Sequence, residues 1–194
     1  MEGKFDISLY NDEFFEWHVK YAREYSIKTM DWYIEKYKPL SVVDFGCGIG
    51  SYLESCKNYG IPLSFGFEIS EAAKKFTPKI LDGFIEYVDC TKRISWHRFD
   101  CVLSFETAEH IRPEGTGQFV RNLINATGRH LLFTAAPPGQ QGTGHINLRP
   151  KEFWIEQFSK KLTYDVEMTK DISENWRRLG APEYICNNLI TFHR

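Results

Sequence analysis

"VVDFGCGIG", residues 42–50, runs from two valines through an acid and an aromatic ring into three glycines at alternate positions. A short β-branched run halted by glycine is the pattern of a parallel strand buried on both faces. Glycines between a strand and its following helix permit a sharp turn and the close approach of a ligand to the main chain. The nicotinamide fingerprint G-x-G-x-x-G is the competing reading, but the spacing here is G-x-G-x-G. Asp44 also stands two residues before the first glycine, where a pyrophosphate would meet negative charge. A carboxylate in that place suits a ligand with a cationic amino group.

Outward from this turn, strands and helices alternate. Residues 11–38 read as one or two aromatic-rich helices ending at Pro39. "YLESCKNYG" (52–60) is a helix closed by Gly60, "LSFGFE" (63–68) a strand, and "SEAAKKF" (70–76) a helix capped by Ser70. Strands follow at "FIEYVD" (84–89) and "FDCVLSF" (99–105), then a helix over 112–128 bounded by Pro113 and Gly128. "HLLFTAA" (130–136) is the fifth strand, "PPGQQGTGHINLRP" (137–150) a long loop, and "KEFWIEQFSKKL" (151–162) a helix. The tail holds "TYDVEM", a short helix near "SENWRRLG", and "YICNNLITF" as the closing strand. This order requires a doubly wound, mostly parallel α/β sheet covered by helices on both faces. Ligands in such sheets sit beyond the carboxyl ends of the strands. Asp44, Glu68, Asp89 and Glu106 all fall at or just past those ends, on one rim. Glu68 is placed to accept from two ribose hydroxyls, and Asp89 to meet an adenine amino group beside the Cys90 backbone.

The bulk properties narrow the function. A chain of 194 residues suits one domain, 1–194. A formal net charge of −2 provides no global positive field for a long nucleic acid. The five cysteines show no CxxC spacing and read as reduced thiols. No apolar run reaches membrane-spanning length, and "MEGKFDISLY" lacks the layout of a signal peptide, so a cytoplasmic protein without membrane partners is expected.

Together, "VVDFGCGIG", the acidic end of "LSFGFE", "YVDC" and "FDCVLSFETAEHI" resemble the class I S-adenosylmethionine-dependent methyltransferases over roughly residues 26–168. The resemblance implies a Rossmann-like, seven-stranded sheet whose last strand is antiparallel. It implies S-adenosyl-L-methionine as cofactor, with Asp44, Gly46, Cys47, Gly48 and Gly50 around its methionine part. Glu68 would hold the ribose, Asp89 and Cys90 the adenine, and Ser104 and Phe105 the sulfonium side. Residues 1–38 match an N-terminal helical lid over a core of residues 39–194, with Tyr10, Phe14, Trp17 and His18 as lid candidates; core packing explains Phe14 and Trp17 equally well.

The segment "SFETAEHI" (104–111) gathers Glu106, Glu109 and His110. If it turns helical, these lie on one face, and His145 of the following loop faces them across the crevice. The four could bind a divalent ion (Mg²⁺, Mn²⁺ or Zn²⁺). E-x-x-E-H with a later His resembles the metal-dependent 2′-O-methyltransferases of small-RNA 3′ ends and the ubiquinone-biosynthesis O-methyltransferases. In that resemblance the metal lowers the pKa of acceptor hydroxyls. Alternatively His145, His110 and Glu106 serve as general base or orienting groups without metal, with Asn147 orienting the acceptor. The leading expectation is an O-methyltransferase acting on a small polar acceptor such as a sugar or other metabolite. Metal-dependent ribose methylation of an RNA end, which the charge disfavours, and a non-catalytic cofactor-binding subunit are the alternatives.

Overall fold

A computed structural model describes residues 6–194; the reading of the first five residues, "MEGKF", lies outside the described part. Seven strands form one sheet in the order β3-β2-β1-β4-β5-β7-β6. β1 (Ser41–Phe45), β2 (Leu63–Glu68), β3 (Ile85–Tyr87), β4 (Phe99–Ser104) and β5 (Thr127–Phe133) run parallel. β7 (Ile190–His193) lies antiparallel between β5 and the two-residue β6 (Thr163–Tyr164). Every residue of β1 is buried, as a central strand covered on both faces must be. The chain order reverses beside β1, where β2 departs to one side and β4 to the other. That switch point opens a crevice at the carboxyl ends.

Helices cover both faces. α4 (Thr116–Ala126) and α5 (Lys151–Ser159) enclose a core centred on Phe99, Phe119, Phe133, Trp154, Phe158 and Phe192. α2 (Arg23–Tyr37), α3 (Ser51–Asn58), α6 (Val166–Arg178) and α7 (Glu183–Asn188) enclose the other, around Met30, Tyr33, Leu53, Leu103 and Trp176. The N-terminal segment begins with α1 (Asp12–Trp17), whose first turn is capped by the Asn11 side chain. It passes through a π-helical segment, His18–Ala22, directly into α2. Ser70 Oγ donates to the Tyr10 carbonyl at 2.7 Å, and Lys75 pairs with Asp12, so this segment is docked on the loop after β2.

Several local expectations are corrected. "SEAAKKF" forms only a 3₁₀ turn, Glu71–Lys75, although Ser70 does cap it. Gly115 and Gly117 leave the start of the fourth helix weak; Pro113–Gly115 is 3₁₀ and α4 begins at Thr116. Gly128 does not end that helix but lies inside β5, where an added Cβ would stand 2.8 Å from the Phe99 carbonyl oxygen. The tail helix is a full 13-residue α6 capped by Asp165, and "YICNN" is the helix α7 rather than strand. The residues after Ser104 do not continue as a helix. Glu106 takes a left-handed backbone conformation (φ 47°), and only Ala108–His110 makes a 3₁₀ turn.

Candidate active site

A cavity of about 440 Å³ occupies the switch point. Its floor is the turn after β1. Gly46 and Gly48 have φ of 80° and 55°, a region costly for any residue with a Cβ. A methyl group at Gly46 would also occupy the space of the Thr107 side chain. Asp44 is buried beneath this turn, and burial together with the Glu68 charge pushes its carboxyl up to about 7. Among the described residues no cationic side chain is paired with it, which leaves it matched to a ligand's ammonium group.

Glu68 is held from three sides: Gly48 N–H donates to Oε2, and the N–H groups of Ile69 and Ser70 to Oε1, each at 2.9 Å. The carboxylate therefore ties the glycine turn to β2 while still lining the cavity. Asp89 Oδ1 accepts from Thr91 N–H and Oγ at 2.8 and 2.6 Å, forming a local turn. Asn122 of α4, which motif reasoning missed, donates to the carbonyls of Cys90 and Lys92 at 2.8 and 2.7 Å. Only its place on the buried face of an amphipathic helix marked it in the sequence.

Of the expected cofactor residues, Asp44, Gly46, Cys47, Gly48, Glu68, Asp89, Cys90 and Phe105 line the cavity. Gly50 and Ser104 do not. Gly50 is the left-handed residue before α3, with Leu81 where its Cβ would be. Ser104 is fully buried, and its hydroxyl donates to the Phe45 carbonyl at 3.0 Å, joining β1 to β4. Tyr10, Phe14, Trp17 and His18 all line the cavity; Trp17 is 48% exposed and so is no core residue.

The acid and histidine cluster splits in two. Glu109, His110 and His145 bring ligand atoms within 4.8 Å of one another, and Glu106 is outside that group. His110 Nδ1 donates to the Gly144 carbonyl at 3.2 Å and His145 Nδ1 to the Gln140 carbonyl at 3.1 Å. A carbonyl only accepts, so both rings keep the Nε2 lone pair free. Glu109 is 0% exposed and neither of its oxygens has a hydrogen-bond partner; His145 Nε2 stands 3.9 Å from its Oε1. Burial, then the neighbouring Glu106 charge, raises its pKa well above the carboxylate range. Burial pushes His110 down to about 4, so its ring is neutral near pH 7. His110 and Glu106 face the cavity, whereas His145 and Glu109 stand behind His110.

Glu106 is held by amides instead. Gln140 Nε2 donates to its Oε2 at 2.7 Å, and Asn188 Nδ2 to its Oε1 at 3.4 Å and to Gln140 Oε1 at 2.9 Å. The loop after β5 is thus latched onto the segment after β4. The N–H groups of Ile146 and Asn147 both donate to the Glu109 carbonyl at 2.9 Å. Asn147 is buried, its amide bonded to Ala108 and Thr116, and does not line the cavity.

A parallel sheet with this switch point, a glycine turn over an unpaired acid and an acid after each of β2 and β3 defines a methyltransferase that uses S-adenosylmethionine. The chain belongs to the methyltransferase-domain family, whose profile matches residues 20–158. Among solved structures it is similar to an S-adenosylmethionine-dependent methyltransferase from Archaeoglobus fulgidus (21% identity, 94% of this chain and 99% of that one, TM-score 0.63). It is also similar to a sugar N-methyltransferase from a Streptoalloteichus species (14% identity, 94% and 92%, TM-score 0.68). A third is the O-methyltransferase of a polyketide synthase from Brevibacillus brevis, in complex with S-adenosylhomocysteine (15% identity, 87% and 70%, TM-score 0.58). No helix among the described residues is long and apolar enough to cross a membrane.

Proposed function

We propose that the protein transfers the methyl group of S-adenosylmethionine to a hydroxyl of a small polar acceptor, such as a sugar or other metabolite. The observation that carries this reading is the polar rim at the end of β4, where Glu106 and neutral His110 face the cavity beside Phe105. The cofactor, when bound, supplies an electrophilic methyl on a sulfonium. Asp44 binds its ammonium group, Glu68 its ribose, and the Asp89–Cys90 turn its adenine. Phe105 and the N-terminal aromatics exclude water, and His110 takes the acceptor's proton, with Glu106 orienting the acceptor. His145 acts behind His110, through the ring contact at 5.1 Å.

A second reading is favoured by one observation, the orphaned carboxylate of Glu109. A buried carboxylate without donors is costly unless it is protonated or bound to a cation. Glu109, His110 and His145 bring one carboxylate oxygen and two ring nitrogens within 4.8 Å of one another, a donor set that fits a divalent ion. Glu106, placed outside this group, would hold the loop rather than the ion. In this reading the ion would acidify the acceptor hydroxyl. The RNA-end version is weakened by the balanced surface charge.

Calorimetric titration of Mn²⁺ into protein saturated with S-adenosylhomocysteine, beside a His145→Ala variant, separates the two. Tight one-to-one binding that the variant loses establishes the ion site and directs the acceptor search to diols. No binding to the unaltered protein removes the ion and leaves His110 as the base.

A further inference from the structure

The cavity is longer than the motifs after β1, β2 and β3 account for. Its remaining wall comes from elements flanking the core: Tyr25 on α2, Tyr52 on α3 and Tyr184 on α7, with Phe105 and Glu106 after β4. The Tyr52 ring packs on Phe105 with centroids 4.8 Å apart. Glu106 follows Phe105 in the chain, and Asn188 of α7, the helix that carries Tyr184, donates to Glu106 Oε1 at 3.4 Å, so Tyr52, α7 and the carboxylate meet along one wall of the cavity. The cavity's two long basic side chains, Lys92 and Arg112, belong to the loops after β3 and β4. An anionic acceptor at this wall would meet the Glu106 carboxylate, which the Gln140 and Asn188 amides hold. An organic cation would meet ring faces, which attract positive charge, and a carboxylate whose remaining lone pairs can accept.

We propose that Tyr25, Tyr52, Tyr184 and Glu106 form an acceptor subsite for an organic ammonium group, so that the acceptor is a hydroxyl compound carrying a cationic amine, as in an amino alcohol or amino sugar. The protonated amine has no lone pair and is the anchor; the methylated atom is the hydroxyl oxygen. The inference rests on the hydroxyl-acceptor reading above only for the second half of that statement.

The test compares choline with 3,3-dimethylbutan-1-ol, its uncharged isostere, each titrated into protein loaded with S-adenosylhomocysteine. Choline is expected to bind at least about tenfold more tightly, the size of a desolvated cation–ring contact. Tyr184→Phe should keep that ratio, while Tyr184→Leu and Glu106→Gln should reduce it severalfold with S-adenosylhomocysteine affinity unchanged. Equal binding of the two probes overturns the proposal and makes the box an apolar wall only. A choline preference that all three variants retain places the cation elsewhere and overturns it as well. If choline binds only when the cofactor product is absent, the rings serve the donor's own cationic groups, and the proposal is wrong. A choline preference alongside methylation found only on nitrogen would retain the subsite and discard the hydroxyl reading.

Discussion

Gly142 shows how a single residue shapes this site. It carries no unusual φ, yet a methyl group there would occupy the position of the His145 imidazole. The imidazole packs against the glycine, where a Cβ would overlap Nε2, while its Nδ1 reaches the Gln140 carbonyl. Gly142→Ala should displace His145 and lower kcat by about tenfold or more while leaving S-adenosylhomocysteine affinity unchanged. Steady-state rates beside a binding titration check this; an unaltered kcat would remove His145 from the reaction. Asn122 carries a different load, because its amide satisfies two carbonyls, of Cys90 and Lys92, in the loop after β3. Asn122→Ala leaves both buried acceptors short of a donor. It should destabilise the fold by about 2 kcal/mol in a denaturant titration and weaken S-adenosylhomocysteine binding.

At the scale of elements, the sequence was most legible where a physical constraint is local. β1, β2 and β4 stand where their β-branched and aromatic runs place them, because a central strand must be apolar on both faces. "YICNN" misled because a buried helix face and a strand share its apolar residues, and the choice was made by packing against α6. Whether the segment after Ser104 turns helical is open in the sequence; Glu106 takes the left-handed region, and its carboxylate is held by Gln140 and Asn188, 34 and 82 residues away. No periodicity carries that information. The π segment His18–Ala22 was equally invisible, and it sets how α1 presents Phe14 and His18 to the cavity. A π turn is one residue longer than α geometry needs. Deleting exposed Val19 should restore continuous α-helix across His18–Ala22, removing the bulge at His18 while α1 keeps nearly its angle about α2. The expected result is loss of S-adenosylhomocysteine affinity with a thermal midpoint lowered only slightly, since α1 lies outside both main cores. Retained affinity would show that the bulge at His18 plays no part in closing the cavity.

For the whole molecule, the balance of buried charge governs how binding responds to pH. The folded cofactor-free chain holds the Asp44 carboxyl up to about 7 through burial and then the Glu68 charge, above its ordinary 3.8. A raised folded pKa means that the native state binds more protons than the unfolded chain between about 4 and 7. Through Asp44, stability falls as pH rises across that window, by up to roughly 1.4 kcal/mol per unit. His110 and His130, both pushed down to about 4 by burial, act oppositely between about 4 and 6.5, because the unfolded chain then holds protons that the native rings refuse. The two imidazole slopes oppose and outweigh the single Asp44 slope between about 4 and 6.5, so a melting curve is a poor reporter of Asp44. Cofactor binding is a better one, because an ammonium group at Asp44 favours the ionised carboxylate and must expel its proton. S-adenosylhomocysteine should therefore bind about tenfold more weakly at pH 6 than at pH 8, and nearly one proton should be released per molecule bound at pH 6. Calorimetry in buffers of different ionisation enthalpy measures that proton directly. Asp44→Asn should bind weakly at both pH values and abolish the release. If the variant instead binds as tightly as the unaltered protein, the ammonium group lies elsewhere and the acid beneath the glycine turn serves only the turn.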